Sequence, residues 1–220
     1  MNPEILYEDE QILVCYKPAG IPTQSPNVMQ TDMVDYLRNY RRCRGEADYI
    51  GVVQRLDQPV EGLLVFAKTK EAAANMSLQV KEHKVEKHYY AIITRGILPD
   101  KDTLVDYMVK DGRTNKAKVL KTQEPRAKKA VLHYEVVDRI DDKKLLDIQL
   151  ETGRHHQIRA QLASRTAPIF GDAKYGGVST GRPLCLCSYK IRFMHPVTGE
   201  MMEYEITPKG EDFQEFVDNR

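Results

Sequence analysis

The sequence has no tryptophan and few cysteines. Its composition is otherwise that of an ordinary globular protein. Its 220 residues include only four cysteines without a C-x-x-C pair, so neither a disulfide framework nor a zinc ligand set is indicated. No apolar run approaches the roughly 20 residues that a membrane helix needs. The acidic N-terminus has no apolar signal-peptide core. We therefore expect a cytoplasmic protein with reduced thiols.

The chain also has almost no net charge, only +1, which argues mildly against a nucleic-acid partner. The average conceals basic clusters, however, at residues 38–45, 84–90, 113–121 and 126–129. Each cluster by itself is more typical of a solvated surface. A nearly neutral protein with one basic face can still bind RNA.

The apolar pattern predicts strands with a few intervening helices, joined mostly by hairpins. Helices are predicted over residues 31–42, with Thr31 as N-cap, over 70–83 and within 151–164. Hairpins are predicted at 129–150 and 184–206. Residues 98–129 are predicted to be an insertion of short strands and loops with a turn at Asp111–Gly112. This order indicates an α+β fold with a largely antiparallel sheet.

Asp57 has the strongest case for chemistry from its position alone. It follows Arg55 and precedes the apolar run LLVFAKT, and burying an unpaired aspartate there would be costly. It either belongs to a structural ion pair or is positioned for catalysis. Arg159, after the strand that ends at Gly153, lies at the end of a sheet where sites are common. A two-carboxylate hydrolase using Asp57 and Glu61 is a third possibility, which the intervening proline disfavours.

Motifs for a bound cofactor or metal are missing from the chain. It has no glycine-rich phosphate loop and no H-E-x-x-H. His155 and His156 are adjacent, and neighbouring histidines on a helix or turn diverge rather than converge on one ion. We expect neither a cofactor nor a metal.

Five segments, in order, resemble the motifs of the RluA-type pseudouridine synthases. RLDQPVEGLLVFAKT is similar to that family's HRLDxxTSG and the strand after it. The others are ILYEDEQILVCYKPAGIP (NKPAG loop), VEKHYYAIITRG (KxYxAxxxG), ETGRHHQIRAQLA…PIFGDAKYGG (TGRTHQIRVHL…PIxGDxxYG) and LCLCSYKIRFMHPVTGE (LHAxxLxFxHPxTGE). Together they cover roughly residues 5–206.

The resemblance implies a fold and a reaction. The fold is a single α+β catalytic domain over residues 1–220, with a long, bent, mostly antiparallel mixed sheet in two halves around a central cleft. The reaction isomerises a uridine in structured RNA to pseudouridine without a cofactor. Motif by motif, Asp57 is the implied catalytic aspartate, Arg159 the cation paired with it, and Tyr89 the ring stacked on the uracil. Arg55 would fill the gap left by the flipped-out nucleotide.

Three departures from the motifs bear on the site. Gln54 replaces histidine, Val60-Glu61 replaces Thr-Ser, and Gln161 replaces a second histidine. Glu61 places a negative charge near the implied catalytic carboxylate, and its direction decides whether catalysis is disturbed. These departures motivate an alternative in which the chain is a catalytically silent RNA-binding protein or RNA chaperone with the same cleft.

The resemblance also implies the partner. Many members carry a small RNA-binding domain ahead of the catalytic core, whereas the motifs here begin within the first few residues. We therefore expect a monomer that binds ribosomal or transfer RNA stem-loops through the catalytic domain, with no membrane partner. The candidates for phosphate contacts are residues 38–44, 116–121 and 126–129.

Overall fold

The computed structural model describes residues 4–27, 29–177, 181 and 183–218, and it divides into two compact units. Unit 1 comprises Met1–Val85 and Ser188–Ile206, and unit 2 comprises Glu86–Cys187 and Thr207–Arg220. The strands are β1 (Glu4–Glu8), β2 (Ile12–Lys17), β3 (Gly51–Val52), β4 (Glu61–Ala67), β5 (Glu86–Ile93), β6 (Lys101–Asp111), β7 (Lys116–Leu120), β8 (Lys128–Ile140), β9 (Lys143–Leu150), β10 (Leu186–Met194) and β11 (Met201–Glu205). The helices are α1 (Met33–Cys43), α2 (Lys70–Lys81), α3 (Gln157–Ala163) and α4 (Glu211–Val217).

Unit 1 is built on a sheet in the order β1-β2-β4-β10, with β3 paired to β4 and β11 paired to β10. β4 is buried along its whole length, which explains why its apolar run is continuous rather than alternating. Its core side chains Leu63 and Val65 pack with Ile12 of β2, Met76 of α2 and Phe193 of β10. The pairing of β2 with β4 is antiparallel and places Lys17 opposite Gly62.

Both helices of unit 1 begin at a side-chain cap. Thr69 caps α2 by accepting a hydrogen bond from Ala72 N at 3.1 Å. α1 is capped by Asp32, whose carboxylate accepts from Asp35 N at 2.9 Å and from Ser25 N at 2.6 Å. The sequence prediction of Thr31 as the cap is therefore wrong by one residue, because aspartate in the next position also satisfies the donors of the preceding loop.

Unit 2 contains a meandering sheet in the order β5-β9-β8-β6-β7, with antiparallel pairing from β5 to β9, β9 to β8, β8 to β6 and β6 to β7. The predicted hairpin of β8 and β9 is confirmed. Residues 98–129 are more regular than predicted, because they contain the 11-residue strand β6. The predicted turn after Asp111 is confirmed, and the Asp111 carboxylate accepts from Arg113 N at 2.9 Å.

Two helices complete unit 2. α3 follows β9 and is buried from Gln157 to Leu162. α4, which the sequence pattern did not predict, buries Phe213 and Phe216. Within the described part of the chain, no helix is long and apolar enough to cross a membrane. The overall class is α+β with mostly antiparallel strands, as predicted.

Candidate active site

Asp57 lies in the loop that joins β3 to β4, between two residues whose backbones are tied to the 18–23 loop. Thr23 Oγ1 accepts a hydrogen bond from Leu56 N at 3.1 Å and donates one to Leu56 O at 3.0 Å. On the other side, Gly20 N donates to Gln58 O at 2.8 Å, and Gln58 Nε2 donates to Gly20 O at 3.0 Å. The backbone that carries the Asp57 carboxylate is thus held from both sides, which is the kind of support a catalytic group needs.

The three residues of the Arg-Leu-Asp motif have different environments. Arg55 is exposed, Leu56 is buried and Asp57 is half-buried. Val60 N donates to Asp57 O at 3.0 Å and closes a turn directly after the aspartate. Leu56 is therefore buried between an exposed arginine and a half-buried aspartate, while the roles of Arg55 and Asp57 stay predictions.

Lys17, at the end of β2, joins the two loops through a fully buried ammonium group. Its Nζ donates to the carbonyl oxygens of Pro18 at 3.0 Å, Ile21 at 2.6 Å and Gln58 at 3.1 Å. Burial lowers the pKa of Lys17 to about 8, against the opposing influence of the Asp57 and Glu61 charges. Sequence reasoning gave this lysine no role, although it lies in the KPAG segment.

Glu61, the residue whose direction the sequence left open, is buried at the start of β4, with 4% of its surface exposed. Its Oε2 accepts a hydrogen bond from Tyr16 Oη at 2.5 Å. Tyr16 stands where the family's NKPAG motif has asparagine, and Glu61 stands where TSG has serine. The two departures from the motif are therefore partners, a relation that could have been suspected by considering them together.

The other two departures are also accommodated inside their own units. Gln54 Nε2 donates to Leu63 O at 3.4 Å, and Gln54 Oε1 is buried without a hydrogen-bond partner among the described residues. Gln161 Nε2 donates to Asp106 Oδ2 at 2.6 Å and to Leu104 O at 3.3 Å. Gln161 therefore fastens α3 to β6, which is a structural use of the position.

Tyr89 lies on β5 of unit 2, opposite Ile148 of β9. Only 7% of its surface is exposed. Pairing with β9 fixes the backbone of Tyr89 and therefore the position from which its ring extends. Its predicted role in stacking on a uracil stays a prediction.

Arg159 forms a bidentate ion pair with Asp172 in unit 2. Its Nε donates to Asp172 Oδ2 and its Nη2 donates to Asp172 Oδ1, each at 2.8 Å. Both side chains are buried, and a fork geometry of this kind fixes the guanidinium plane. The sequence named Arg159 but overlooked Asp172, which lies in the GDAKYGG segment. The predicted pairing of Arg159 with Asp57 stays a prediction.

Tyr175 is the centre of a second group in unit 2 that sequence reasoning overlooked. Its hydroxyl accepts from Ala117 N at 2.6 Å and lies 2.9 Å from His156 Nδ1. The guanidinium of Arg159 lies over its ring, 5.2 Å from the centroid. The His155 ring stacks on the His156 ring with centroids 3.8 Å apart, so these two rings do not diverge as the sequence predicted. The group connects α3, β7 and the loop after residue 170.

The basic clusters differ in how far they are neutralised by their own unit. At the C-terminal end of α1 and in its cap, Arg41 is buried and pairs with Glu46, Arg42 pairs with Asp48, and Arg44 pairs with Glu46. The expectation that residues 38–44 form a phosphate-binding surface is thus weakened, because these three guanidinium groups already have carboxylate partners. In the candidate clusters of unit 2, at 116–121 and 126–129, the exposed basic residues are Lys116, Lys118, Lys121, Arg126, Lys128 and Lys129.

The fold matches those of two solved human proteins. The solved structure of Human RNA Pseudouridylate Synthase Domain Containing 4 has a TM-score of 0.77 and 22% identity, covering 94% of this chain and 89% of that one. Human RNA Pseudouridylate Synthase Domain Containing 1 has a TM-score of 0.78 and 22% identity, covering 94% and 84%. At this level of identity the likeness establishes the fold, which is that of the pseudouridylate synthases.

Sequence comparison establishes the family. The profile described as RNA pseudouridylate synthase matches residues 11–164. The RNA pseudouridine synthase YlyB of Bacillus subtilis is 32% identical over 225 residues, covering 100% of this chain and 73% of that protein. The Ribosomal large subunit pseudouridine synthase D of Zymomonas mobilis is 30% identical, covering 92% of this chain and 68% of that protein. The chain belongs to the RNA pseudouridylate synthase family and is a pseudouridine synthase, as the motifs predicted.

Proposed function

We propose that this pseudouridine synthase isomerises a specific uridine in structured RNA, with Asp57 as the catalytic aspartate and no cofactor. The observation that carries the assignment to Asp57 is its anchored turn, in which Leu56 and Gln58 are both fastened to the 18–23 loop. A carboxylate held in this way has little freedom to leave a productive geometry, and small displacements of a reacting group are costly. The roles predicted for Arg55, Tyr89 and Arg159 belong to the same proposal.

The reaction is an isomerisation, so its atoms balance without a co-reactant. The bond between uracil N1 and the sugar C1′ breaks, the uracil rotates, and C5 bonds to C1′. C5 then loses its proton and N1 gains one. The exposed position of Arg55 suits a residue that replaces a flipped-out nucleotide in the stack, since extrusion of a base costs a few kcal/mol. Asp57 acts by attack on the sugar, attack on the base or proton abstraction, and all three require it in the ionised form.

Large-subunit ribosomal RNA is the first substrate to examine. The relative from Zymomonas mobilis and that from Pasteurella multocida, which is 33% identical, are both named as large-subunit synthases. A transfer RNA stem-loop is the other substrate that the sequence suggests. We further propose that residues 1–220 form a single catalytic domain that acts as a monomer in the cytoplasm.

Deletion of the gene in its own host should remove pseudouridine from at least one position in total RNA. Expression of the wild-type chain should restore that position, whereas Asp57→Ala should not. The matched control is Asp48→Ala, which removes an exposed carboxylate that pairs with Arg42 and should restore the position fully. A map of pseudouridines across ribosomal and transfer RNA measures the effect and identifies the substrate.

Two outcomes of that experiment would contradict the proposal. If no position changes on deletion, the chain does not carry this activity in its host. If Asp57→Ala restores the position as well as wild type does, Asp57 is not the catalytic aspartate. Binding of RNA without any loss of pseudouridine would favour the catalytically silent RNA-binding protein instead.

The exposed basic surface of unit 2 should make RNA binding salt-dependent. We expect Lys118→Ala with Lys121→Ala to reduce the slope of log K against log salt by about 0.7 to 0.9 for each phosphate interaction that the substitutions remove. Lys101→Ala is the matched control, because Lys101 already pairs with Glu135 at 3.0 Å. Filter binding of host RNA over a salt series measures the slope, and equal slopes in all variants would exclude these lysines as phosphate-binding residues.

A further inference from the structure

We propose that Glu61 is a positioning residue for catalysis, that it acts on Asp57 through Lys17, and that Tyr16 orients it. The inference rests on the proposed catalytic role of Asp57. All four residues belong to unit 1. Neither Glu61 nor Tyr16 matches the family motif at its position, so the device would distinguish this chain from members that carry asparagine and serine there.

Lys17 is the residue that connects the 18–23 loop to the turn that carries Asp57. Its three N–H bonds point to three carbonyl oxygens, of which two belong to the 18–23 loop and one to Gln58. Gln58 directly follows Asp57, and its carbonyl also accepts from Gly20 N at 2.8 Å. A charged lysine therefore fastens the turn that carries Asp57 to the neighbouring loop.

Lys17 Nζ can donate to all three carbonyl oxygens only while it is protonated. An ammonium group has three N–H donors and no acceptor, whereas a neutral amine has two donors and a lone pair. Loss of the proton would turn the lone pair towards one of three carbonyl oxygens. The bond to Gln58 O, at 3.1 Å, is the longest of the three and is the one expected to break.

Glu61 supplies charge that keeps Lys17 protonated in a buried site. Lys17 is 0% exposed, and burial of an unpaired ammonium strongly favours the neutral form. Lys17 lies opposite Gly62, the residue that follows Glu61, and the charges of Asp57 and Glu61 oppose this effect. Asp57 must take part in the reaction with RNA, so its support of Lys17 varies during turnover, whereas Glu61 is held in place by Tyr16 Oη at 2.5 Å.

A titration of Lys17 should therefore limit activity at alkaline pH. Because the pKa of Lys17 is lowered to about 8, the folded protein loses this proton before an unfolded chain does. Between that pH and the ordinary range of lysine, the unfolded state binds more protons, so this group makes folding more favourable as pH rises. Activity should thus fall above about pH 8 without unfolding, which separates loss of the fastening from loss of the fold.

The test compares Glu61→Gln and Tyr16→Phe with wild type. Each variant is assayed for pseudouridine formation on total RNA from the deletion strain, from about pH 6 to pH 10. We expect Glu61→Gln to lower kcat about tenfold with KM within about twofold, because the loss is in positioning rather than in RNA binding. In the plot of activity against pH, the alkaline limb, where activity falls, should shift to lower pH by about one unit. This is the usual effect of losing one nearby opposite charge. Tyr16→Phe should lower kcat and shift the alkaline limb to lower pH, each by a smaller amount than Glu61→Gln does.

Glu203→Gln is the matched control, because it removes a carboxylate that pairs with Lys190 on the β10–β11 hairpin. It should leave kcat and the alkaline limb unchanged. Asp57→Ala is assayed in parallel, so that failure of the proposed function is recognised separately. If wild type and Asp57→Ala are equally inactive, the assigned reaction fails, and the positioning role is then decided by titration alone.

That titration follows the 13Cε signal of Lys17 in the purified protein, assigned by comparison with Lys17→Arg. The titration midpoint of Lys17 should fall by about one unit in Glu61→Gln relative to wild type. An unchanged midpoint would overturn the proposal whatever the activity. A drop in activity with an unchanged alkaline limb and a lowered melting temperature would equally overturn it, since Glu61 would then support only the fold.

Discussion

Asp57→Asn is expected to lower kcat for pseudouridine formation by at least about a thousandfold, the scale seen when a group that acts directly on substrate is removed. The substitution keeps the size of the side chain. The bonds that hold the turn, from Thr23 to Leu56 and from Lys17 and Gly20 to Gln58, reach backbone atoms of neighbouring residues. The fold and the RNA affinity should therefore stay close to wild type. Single-turnover kinetics and a binding titration with RNA from the deletion strain measure the two quantities.

Asp57→Glu is the informative companion variant. It keeps the negative charge but moves the carboxylate by one methylene, and a displacement of about 1 Å can cost about a hundredfold in rate. We therefore expect Asp57→Glu to lose about a hundredfold in rate, which is less than the loss in Asp57→Asn. Full activity of Asp57→Asn would contradict a direct role for the carboxylate. Loss of RNA affinity in parallel with rate would indicate that Asp57 serves binding instead.

Gly62→Ala is expected to give the largest loss of stability among the substitutions considered. Gly62 has a φ of +127°, and a Cβ there would lie 2.6 Å from Ser188 N and closer still to Ser188 O. Both are backbone atoms of β10, so no side-chain rotation can relieve the clash. We expect a loss of about 3 to 5 kcal/mol in the free energy of unfolding, among the largest that single substitutions produce. Thermal unfolding followed by circular dichroism should show a melting temperature lower by about 6 to 20 °C.

Gly45→Ala separates the steric contribution from backbone strain. Gly45 also has a positive φ, +73°, but a Cβ there meets nothing within 4 Å. We expect it to cost only about 1 kcal/mol. Equal losses at both positions would show that the left-handed backbone, and not the close approach of β10, makes glycine necessary at position 62.

The sequence predicted best those helices and strands whose form can be read from consecutive residues. The β8–β9 hairpin alternates apolar and polar residues, and α2 begins at a side-chain cap and consists of strong helix formers. Local pattern failed over β6, because Leu104 and Met108 are its fully buried side chains and much of the rest is exposed. The length of β6 comes from pairing with β8 on one side and β7 on the other, which involves residues distant in sequence.

The residues of the candidate site also fall into two groups, those that local sequence identifies and those that it does not. The motif containing Asp57 could be recognised from consecutive residues, and so could those containing Tyr89 and Arg159. Their partners are harder to recognise from local sequence, because each lies far along the chain. Tyr16 and Glu61 are 45 residues apart, and Arg159 and Asp172 are 13 apart. Neither pairing follows from spacing, since only the folded backbone brings these side chains together.

By itself the sequence determined the α+β class, the family and the identity of the aspartate on which the proposed chemistry depends. Those conclusions rest on periodicity and on short motifs, which are local properties of a chain. The tertiary structure alone decided that Glu61 is buried against Tyr16, that Lys17 fastens the loop beside Asp57, and that the arginines Arg41, Arg42 and Arg44 are already paired. Burial and electrostatic partnership depend on distances through space, and a linear pattern of residues does not contain those distances.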